Sequence, residues 1–448
     1  MVAYYATDLL VLGGAMLRAL LTVLILLSTT VLQVCASSTL LTPLWRTSSN
    51  PSPGMDALLG LCSDGLGRLY AVGFEYSNGR RLLRLEVRDV GSGGLALSKV
   101  YSLSEGDTIG RGCAVSSSTL YVVGNTEVGG VRRWLIVAIS LESFEVVRNV
   151  SSVEGRAMAV AVAGDSLLVA GDRVVKGGPS GDTSWRVELR RLPDLELVSY
   201  YESNPSTAAD AARYVAVNPV DGSVWVAGDN RGRGWWRIEV LDRELRRVAE
   251  VEPLMPGSAH SLCFSSTGEV YVAGNGGLVK LDRSGAELGR HTVREFLTAV
   301  TCYGGYVIAS GLIAVAKGGE PVLDFGVYVV DEELRVVQVA ALNASLRPVE
   351  LYPPRLAVVG DTLAVSFPEY FGTPDKLDAV WSLAAFRLQL PGVEAPRTTV
   401  SPTSPPTSPP ATPPPAAPAT PSWYLTAVAV VLVAAVAGSL LLARARRR

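Results

Sequence analysis

Histidine and cysteine are scarce in this chain of 448 residues, which has two histidines and five cysteines. These residues often bind transition metals or act as base and nucleophile. The chain therefore has few side chains from which a metal centre or an imidazole-based active site could be built. Charge is scarce too, since 18% of the residues are charged and the formal net charge is -2. Without an excess of basic residues, the protein surface cannot pair with the row of phosphates of a nucleic acid. We therefore expect no nucleic-acid partner.

Local motifs for catalysis and metal binding are also missing from the sequence. It contains no G-x-S-x-G elbow, no H-E-x-x-H pair, no Walker A loop and no paired-cysteine zinc knuckle. We therefore predict no metal site and no cofactor. An active site assembled from distant positions would leave no such motif, so an enzyme stays open as an alternative.

The N-terminal apolar run, residues 19–34, follows Arg18 and is itself followed by small residues. This pattern is typical of a secretory signal peptide over residues 1–36, cleaved after Ala36. A retained signal-anchor helix is the alternative, although this run is short for a membrane span. Met16 would be a more ordinary start, in which case the residues before it are an extension.

A second apolar run, residues 423–443, begins with Trp423 and Tyr424. At about 1.5 Å per residue, a helix of this length reaches roughly 30 Å, the thickness of a bilayer's hydrocarbon core. The basic tail, residues 444–448, follows directly, and positive charge stays on the cytoplasmic side. We expect a single-pass protein of the cell membrane with its C-terminus inside and the rest of the chain outside.

Residues 393–422 are rich in proline, serine and threonine. Such a segment has nothing to bury and extends as polyproline II, so it predicts a stalk of roughly 90 Å. Its hydroxyl residues are candidate O-glycan acceptors. A stalk of this length would carry the preceding domain, residues 37–392, across a cell wall or surface layer, an architecture similar to that of archaeal surface proteins.

Residues 37–392 contain a repeat. In each copy a short apolar strand and a tight turn precede an aromatic-rich strand that ends in glycine, and two alternating strands follow. The clear copies are 46 to 57 residues apart, which brackets the length of a four-stranded propeller blade. The repeated glycines are Gly73, Gly124, Gly171, Gly228 and Gly274, with a weaker copy at Gly311.

This repeat resembles the seven-bladed β-propellers of WD-repeat-like and bacterial or archaeal surface proteins. The resemblance implies an all-β fold with blades between about Leu58 and Leu390, although the uneven intervals leave six or eight blades open. The last repeat lacks a fourth strand, and residues 39–47 are expected to supply it and close the ring. Such a fold says little about function.

Four cysteines remain after the signal, each at the innermost strand of its repeat. Because adjacent inner strands converge on the channel, Cys62–Cys113 and Cys263–Cys302 bridges are conceivable outside the cell. Four buried free thiols are the alternative.

Basic residues recur at the entry to the inner strand. If they point to the channel mouth they form a positive ring, which suits carboxylate, sulfate or phosphate groups. The alternative is that each arginine pairs with an acid of a neighbouring blade (Asp107, Glu154 or Asp210) and only seals the ring. The ring residues are Arg111, Arg156, Arg213, His260 and Arg355.

Three further residue sets have simpler interpretations. The Asp or Asn after the blade glycine indicates turn chemistry, and the third-strand tryptophans indicate packing between blades rather than a sugar platform. Asn149 and Asn343 match the N-glycan acceptor pattern. The residues after the blade glycine are Asn125, Asp172, Asp229 and Asn275, and the third-strand tryptophans are Trp134, Trp185, Trp235 and Trp236.

Together these features predict a cell-surface binding or scaffold module that recognises a protein, a surface-layer component or a glycan. The alternative is an extracellular hydrolase, lyase or sugar dehydrogenase with its site at the channel mouth. An enzyme predicts carboxylates or a histidine facing the channel, whereas a binding module predicts arginine and apolar side chains there.

Overall fold

The computed structural model describes residues 39–252, 254–317, 320–344, 354–373 and 376–391. These residues form five antiparallel β-sheets and contain no helix. None of them belongs to a helix long and apolar enough to cross a membrane. The signal, the stalk, the membrane helix and the basic tail expected from the sequence lie outside the described residues.

The first strands build two of the sheets. The first strand, β1, pairs with the last one and is treated with it below. The next four form one sheet in chain order, each antiparallel to its neighbour. These strands are β1 (Leu41–Ser49), β2 (Ala57–Ser63), β3 (Arg68–Ser77), β4 (Arg80–Asp89) and β5 (Leu95–Tyr101).

The following seven strands form a single sheet, again in chain order. Four of them are buried along most of their length, so both of their faces are covered rather than one. They are β6 (Thr108–Ser116), β7 (Thr119–Val128), β8 (Val131–Ser140), β9 (Val146–Ala163), β10 (Ser166–Val174), β11 (Thr183–Arg191) and β12 (Glu196–Ser203).

Two more sheets follow, one of four strands and one of six. The four-stranded sheet holds β13 (Ala211–Val217), β14 (Val224–Asn230), β15 (Trp235–Leu241) and β16 (Arg247–Val251). The six-stranded sheet holds β17 (Ala259–Phe264), β18 (Val270–Leu281), β19 (Glu287–Tyr303), β20 (Tyr306–Lys317), β21 (Glu320–Asp331) and β22 (Val336–Ala341).

The last sheet joins the two ends of the domain. It runs in the order β1-β25-β24-β23, with β23 (Arg355–Val359), β24 (Thr362–Thr373) and β25 (Lys376–Leu388). Leu41 pairs with Leu388 and Ser49 with Trp381. The N-terminal strand thus completes the final sheet, as the missing fourth strand of the last repeat predicts.

The longer sheets are made of four-strand units, which we call blades. The first half of β9 pairs with β8 and its second half with β10, so this strand ends one blade and begins the next. β19 does the same between β18 and β20. Gly276 and Gly277 within β18 have positive φ angles of +85° and +141°, which permit a tight turn. The residues on either side of this turn lie close together, since Lys280 Nζ is 3.0 Å from the Glu269 carboxylate. This tight turn accounts for the short interval before Gly311.

The innermost strands contact one another in a closed circle. Each contacts the next along the chain, and the last contacts the first. The strands in this circle are β2, β6, β9, β13, β17, β19 and β23. The described chain is therefore an all-β, propeller-like domain with a central channel.

Tryptophans pack between neighbouring blades, as the sequence predicts. Trp134, Trp185 and Trp236 are fully buried, while Trp235 is only partly buried. The indole Nε1 of Trp134 donates to the main-chain oxygen of Asp172 in the next blade at 2.6 Å. Trp185 donates in the same way to Asp229 at 3.0 Å, and these two indoles fix the spacing between their blades, because a buried N–H needs an acceptor.

A repeated ionic cluster lies in the third strands, which sequence reasoning missed. Glu188 is fully buried between Arg186 and Arg190, at 2.7 and 2.6 Å. A buried carboxylate is stable only when its charge is paired and its lone pairs are bonded. Glu86 and Glu239 occupy the same place in two other blades.

Candidate functional site

A bulge in the inner strand recurs from blade to blade. In each of six inner strands one residue has no partner across the pair and is pushed out of the ladder. β23 is continuous, with Arg355 opposite Ser366. The bulged residues are Leu59, Arg111, Met158, Arg213, His260 and Thr298.

The repeated glycine lies opposite each bulge. A Cβ at Gly73 would overlap the carbonyl oxygen of Ala57, and a Cβ at Gly124 that of Ile109. The glycine therefore permits the close backbone approach that the bulge requires. The last repeat has Ser366 in place of the glycine, and its inner strand has no bulge. The same overlap occurs at Gly171, Gly228, Gly274 and Gly311.

These bulges direct side chains into one cavity of about 540 Å³, which we call the central cavity. All five residues of the expected ring line it, and so does Arg231, which the sequence did not single out. None of the described residues that line it is acidic. Its lining is Leu59, Arg111, Arg156, Met158, Arg213, Arg231, Gly257, Ser258, His260, Asn275, Phe296, Thr298, Phe325 and Arg355.

A narrower space of about 120 Å³ adjoins the central cavity. Six residues line both spaces and therefore lie where the two meet: Arg111, Met158, Arg213, His260, Thr298 and Arg355. Three of them are arginines, so guanidinium groups are present at this junction.

Three arginines are held by the residue that follows the blade glycine. Each donates its Nε–H to a side-chain oxygen of the adjacent strand in its own blade, which leaves the guanidinium oriented by a short bond. The pairs are Arg111 with Asn125 at 2.8 Å, Arg156 with Asp172 at 2.7 Å and Arg213 with Asp229 at 2.7 Å.

This geometry corrects two expectations. Asn125, Asp172 and Asp229 lie within strands rather than in turns, so the expected turn chemistry is wrong for them, and their side chains position the ring. The acids of neighbouring blades are bonded elsewhere: Asp107 accepts from the Arg81 amide and Glu154 lies 3.8 Å from Lys176. Asp210 accepts from Ser206 and from the Arg231 amide.

Arg355 is held in another way. Its Nε–H donates to the main-chain oxygen of Leu59 at 2.8 Å. Of the carboxylates that the structure describes, none lies within 4 Å of this guanidinium. Burial and the charge of Arg213 lower the pKa of Arg355 to about 10, so it stays protonated at neutral pH.

His260 contributes no charge to the ring. The Ser258 amide donates to Asn275 Oδ1 at 2.9 Å, which identifies that atom as the oxygen. His260 Nε2, 3.2 Å from the same oxygen, must then carry a hydrogen and leaves Nδ1 as an acceptor. Burial, followed by the charges of Arg213 and Arg355, lowers the pKa of His260 to about 3.

The positive charge of the cavity is only partly offset. Asp229 lies 2.7 Å from Arg213 and 3.6 Å from Arg231, and Asp172 pairs with Arg156. Arg156, Arg213 and Arg231 thus share two carboxylates behind the cavity wall. Such an arrangement attracts and orients an anion. A histidine with a pKa of about 3 is a poor general base at neutral pH.

The remaining predicted residues lie away from the cavity wall, with one exception. Cys62 is joined to Cys113 and Cys263 to Cys302, each bridge linking neighbouring inner strands. Cys113 also lines the narrow space. Asn149 and Asn343 are both exposed. No group of three His, Cys, Asp or Glu residues in the described ranges is arranged to hold a metal ion.

Neither family models nor curated proteins match this sequence. Several solved structures do match its fold. A chain of the mitotic checkpoint complex is 11% identical with a TM-score of 0.51, covering 77% of this chain and 91% of that one. The Pan2 WD40 domain of Neurospora crassa is 11% identical with a TM-score of 0.50, covering 77% and 95%.

BamB from Moraxella catarrhalis is 15% identical with a TM-score of 0.42, and the match covers 77% of this chain and 94% of that one. Identities this low concern the fold alone. The closed circle of inner strands agrees with this likeness, so the described part of this chain has a fold similar to that of a WD40 β-propeller.

Proposed function

We propose that this protein is a binding module that grips an acidic group of a partner protein or glycan in its central cavity. The observation that carries this proposal is the lining: five arginines, and no acidic residue among the described residues that face the cavity. Propeller domains serve as rigid scaffolds for such contacts, since loops and side chains converge at the mouth of the channel.

The charge balance favours binding over acid–base chemistry. An enzyme of the hydrolase or lyase type needs a group that titrates near the working pH. Here His260 stays neutral and Arg355 stays charged, so neither exchanges a proton at neutral pH. The guanidiniums instead offer paired N–H donors at fixed positions, which suits carboxylate, sulfate or phosphate groups.

We also propose seven blades and an extracellular position. Each strand of the inner circle begins one blade, with β1 completing the last. The signal at 1–36, the stalk at 393–422 and the apolar run at 423–443 support a surface protein anchored by its C-terminus. Two disulfides agree with an oxidising compartment.

The position is tested on intact cells that express the chain. We expect the mature N-terminus to be Ser37, read by mass spectrometry, and added protease to release the propeller without lysis. An N-terminus that retains the first apolar run, or a propeller protected until lysis, would overturn the proposed position.

Binding is tested with the full-length chain in detergent and with citrate, sulfate and phosphate as probes. We expect citrate to raise Tm, and the rise to disappear in Arg213→Gln/Arg355→Gln while persisting in Arg132→Gln, an exposed arginine outside the cavity. Sodium chloride should weaken the effect. The same rise in all three proteins, or none with any anion, would contradict the proposal.

A further inference from the structure

The central cavity has two unlike sides. Consecutive inner strands β6, β9 and β13, with the turn after β14, supply Arg111, Arg156, Arg213 and Arg231. The opposite arc of the circle, formed by β19, β23 and β2, supplies apolar side chains, joined by one from β21. These side chains are Phe296, Leu59 and Phe325.

The division has exceptions on both sides. Met158 is apolar and lies among the arginines, whereas Thr298 and Arg355 are polar and lie in the apolar arc. Met158 offers a flexible apolar contact beside the charges. Arg355 places one guanidinium next to the aromatic side, so charge and apolar surface meet within the cavity.

An entirely hydrophilic anion uses only half of this surface. A sulfate or a sulfated glycan bonds to guanidiniums but leaves Phe296 and Leu59 against water. A ligand with an apolar group beside its carboxylate removes that surface from water, at about 25 cal/mol per Å². The lining therefore selects for an anion attached to an apolar body.

His260 adds a third requirement. It is neutral and leaves Nδ1 as an acceptor. An acceptor lone pair does not stabilise an anion, but it suits an N–H donor. A peptide carries all three features in one short stretch: an acidic side chain, a main-chain N–H and a neighbouring apolar side chain.

We infer that the central cavity binds a short peptide segment of a partner protein in which an acidic residue adjoins an aromatic or large aliphatic one. The inference rests on the proposed function and narrows its ligand class. The cavity volume of about 540 Å³ is within the range of about 300–1,000 Å³ seen for ligand pockets, which matches a few residues of peptide.

The test measures binding to the full-length chain in detergent by titration calorimetry. The probe is an N-acetylated tripeptide amide with aspartate between two phenylalanines. Two comparators replace the aspartate by asparagine or both phenylalanines by glycine. We expect each replacement to weaken binding by about ten-fold or more. A further arm uses 3-phenylpropionate, a small molecule with the same chemistry.

Protein variants separate the two sides of the cavity. Phe296→Ala should weaken binding of the phenylalanine peptide but leave the weak binding of the glycine peptide unchanged. Phe371→Ala, which removes an exposed phenylalanine outside the cavity, should change neither. Arg213→Gln should weaken both. Because two peptides are compared on one protein, a general loss of folding cannot imitate this pattern.

Equal affinity for the phenylalanine and glycine peptides would overturn this inference and leave the proposed function intact. Binding of 3-phenylpropionate without binding of the peptide would overturn the peptide assignment in favour of a small molecule. Failure of every anion, citrate and sulfate included, would overturn the proposed function as well.

Discussion

Trp185 donates its indole N–H to the main-chain oxygen of Asp229 at 3.0 Å, and the carboxylate of the same Asp229 accepts from Arg213 at 2.7 Å. Trp185 lies in one blade and Asp229 in the next. The contact that sets the spacing between blades therefore also sets the position of a cavity arginine. Blade packing and the position of a cavity side chain thus depend on one residue, Asp229.

Trp185→Phe removes this N–H and keeps most of the apolar surface. We expect a loss of about 1 kcal/mol in the free energy of unfolding and weaker citrate binding, because Asp229 loses one of its restraints. The control is Trp225→Phe, which loses a bond of 3.0 Å to Ser223 within its own blade. Denaturant unfolding measures the stability of the two variants, and titration with citrate measures their binding. If both variants weaken citrate binding equally, blade packing at Trp185 is not coupled to the position of Arg213.

Gly228→Ala tests the close approach at a bulge. The new Cβ would overlap the carbonyl oxygen of Ala211 and lie 2.7 Å from Trp185. We expect destabilisation by about 1–3 kcal/mol or more, since the backbone must move. At Gly91 the nearest atom is 3.5 Å away, so Gly91→Ala should change Tm little. Similar Tm values for the two variants would be evidence against a required glycine.

Glu188→Gln removes the charge between two buried arginines. Loss of one partner of a buried ion cluster costs about 3–5 kcal/mol, because the remaining charges stay desolvated. Glu244→Gln breaks an exposed pair with Arg246 and should change the free energy of unfolding by less than about 1 kcal/mol. Urea unfolding compares the two variants. If Glu188→Gln lowers the free energy of unfolding by less than about 1 kcal/mol, the two arginines must reach water in the variant.

His260 makes stability depend on pH. Its folded pKa of about 3 lies below the ordinary value of 6.5, so the unfolded chain binds a proton that the folded protein does not. The free energy of unfolding should fall as pH decreases from about 6.5 to 3, by at most about 1.4 kcal/mol per pH unit from this group. His260→Gln should flatten the dependence of Tm on pH in that range. An unchanged slope would mean that other groups dominate it.

The two disulfides should contribute separately to stability. Each closes a loop, of 51 residues for Cys62–Cys113 and 39 for Cys263–Cys302, and removes entropy from the unfolded chain. We expect Cys62→Ser/Cys113→Ser and Cys263→Ser/Cys302→Ser each to lose about 2–4 kcal/mol. A reducing agent should lower Tm of the unaltered protein and leave the fully substituted protein unaffected.

Much of the fold follows from the sequence for a simple reason. Strand alternation, turn residues and the spacing of glycines are local patterns, so they predict the strands and the pairing of residues 39–47 with the last blade. The ring residues were found because one basic residue per repeat stands out in an otherwise weakly charged domain. That they line one cavity follows from the propeller fold, in which the inner strands surround a common centre.

The partners of the ring were not predicted, because two explanations compete for an Asp or Asn beside a glycine. Turn chemistry is the common one, and Asp172 and Asp229 were assigned to it. A signal was present: each ring residue from Arg111 to His260 is followed by its partner 14 to 16 residues later. Arg231 carries no repeat signal, since it reaches the cavity only through the turn between β14 and β15.

The pairing of β1 with β25 has a mechanical consequence. Because the chain leaves the domain from β25, tension applied through its C-terminal end enters a strand that is bonded on both flanks, to β24 and to β1. An outermost strand would peel away one bond at a time. A strand in the interior must shear two ladders together. We expect the domain to withstand pulling through its C-terminus better than a variant shortened by β1, as single-molecule force measurements would show.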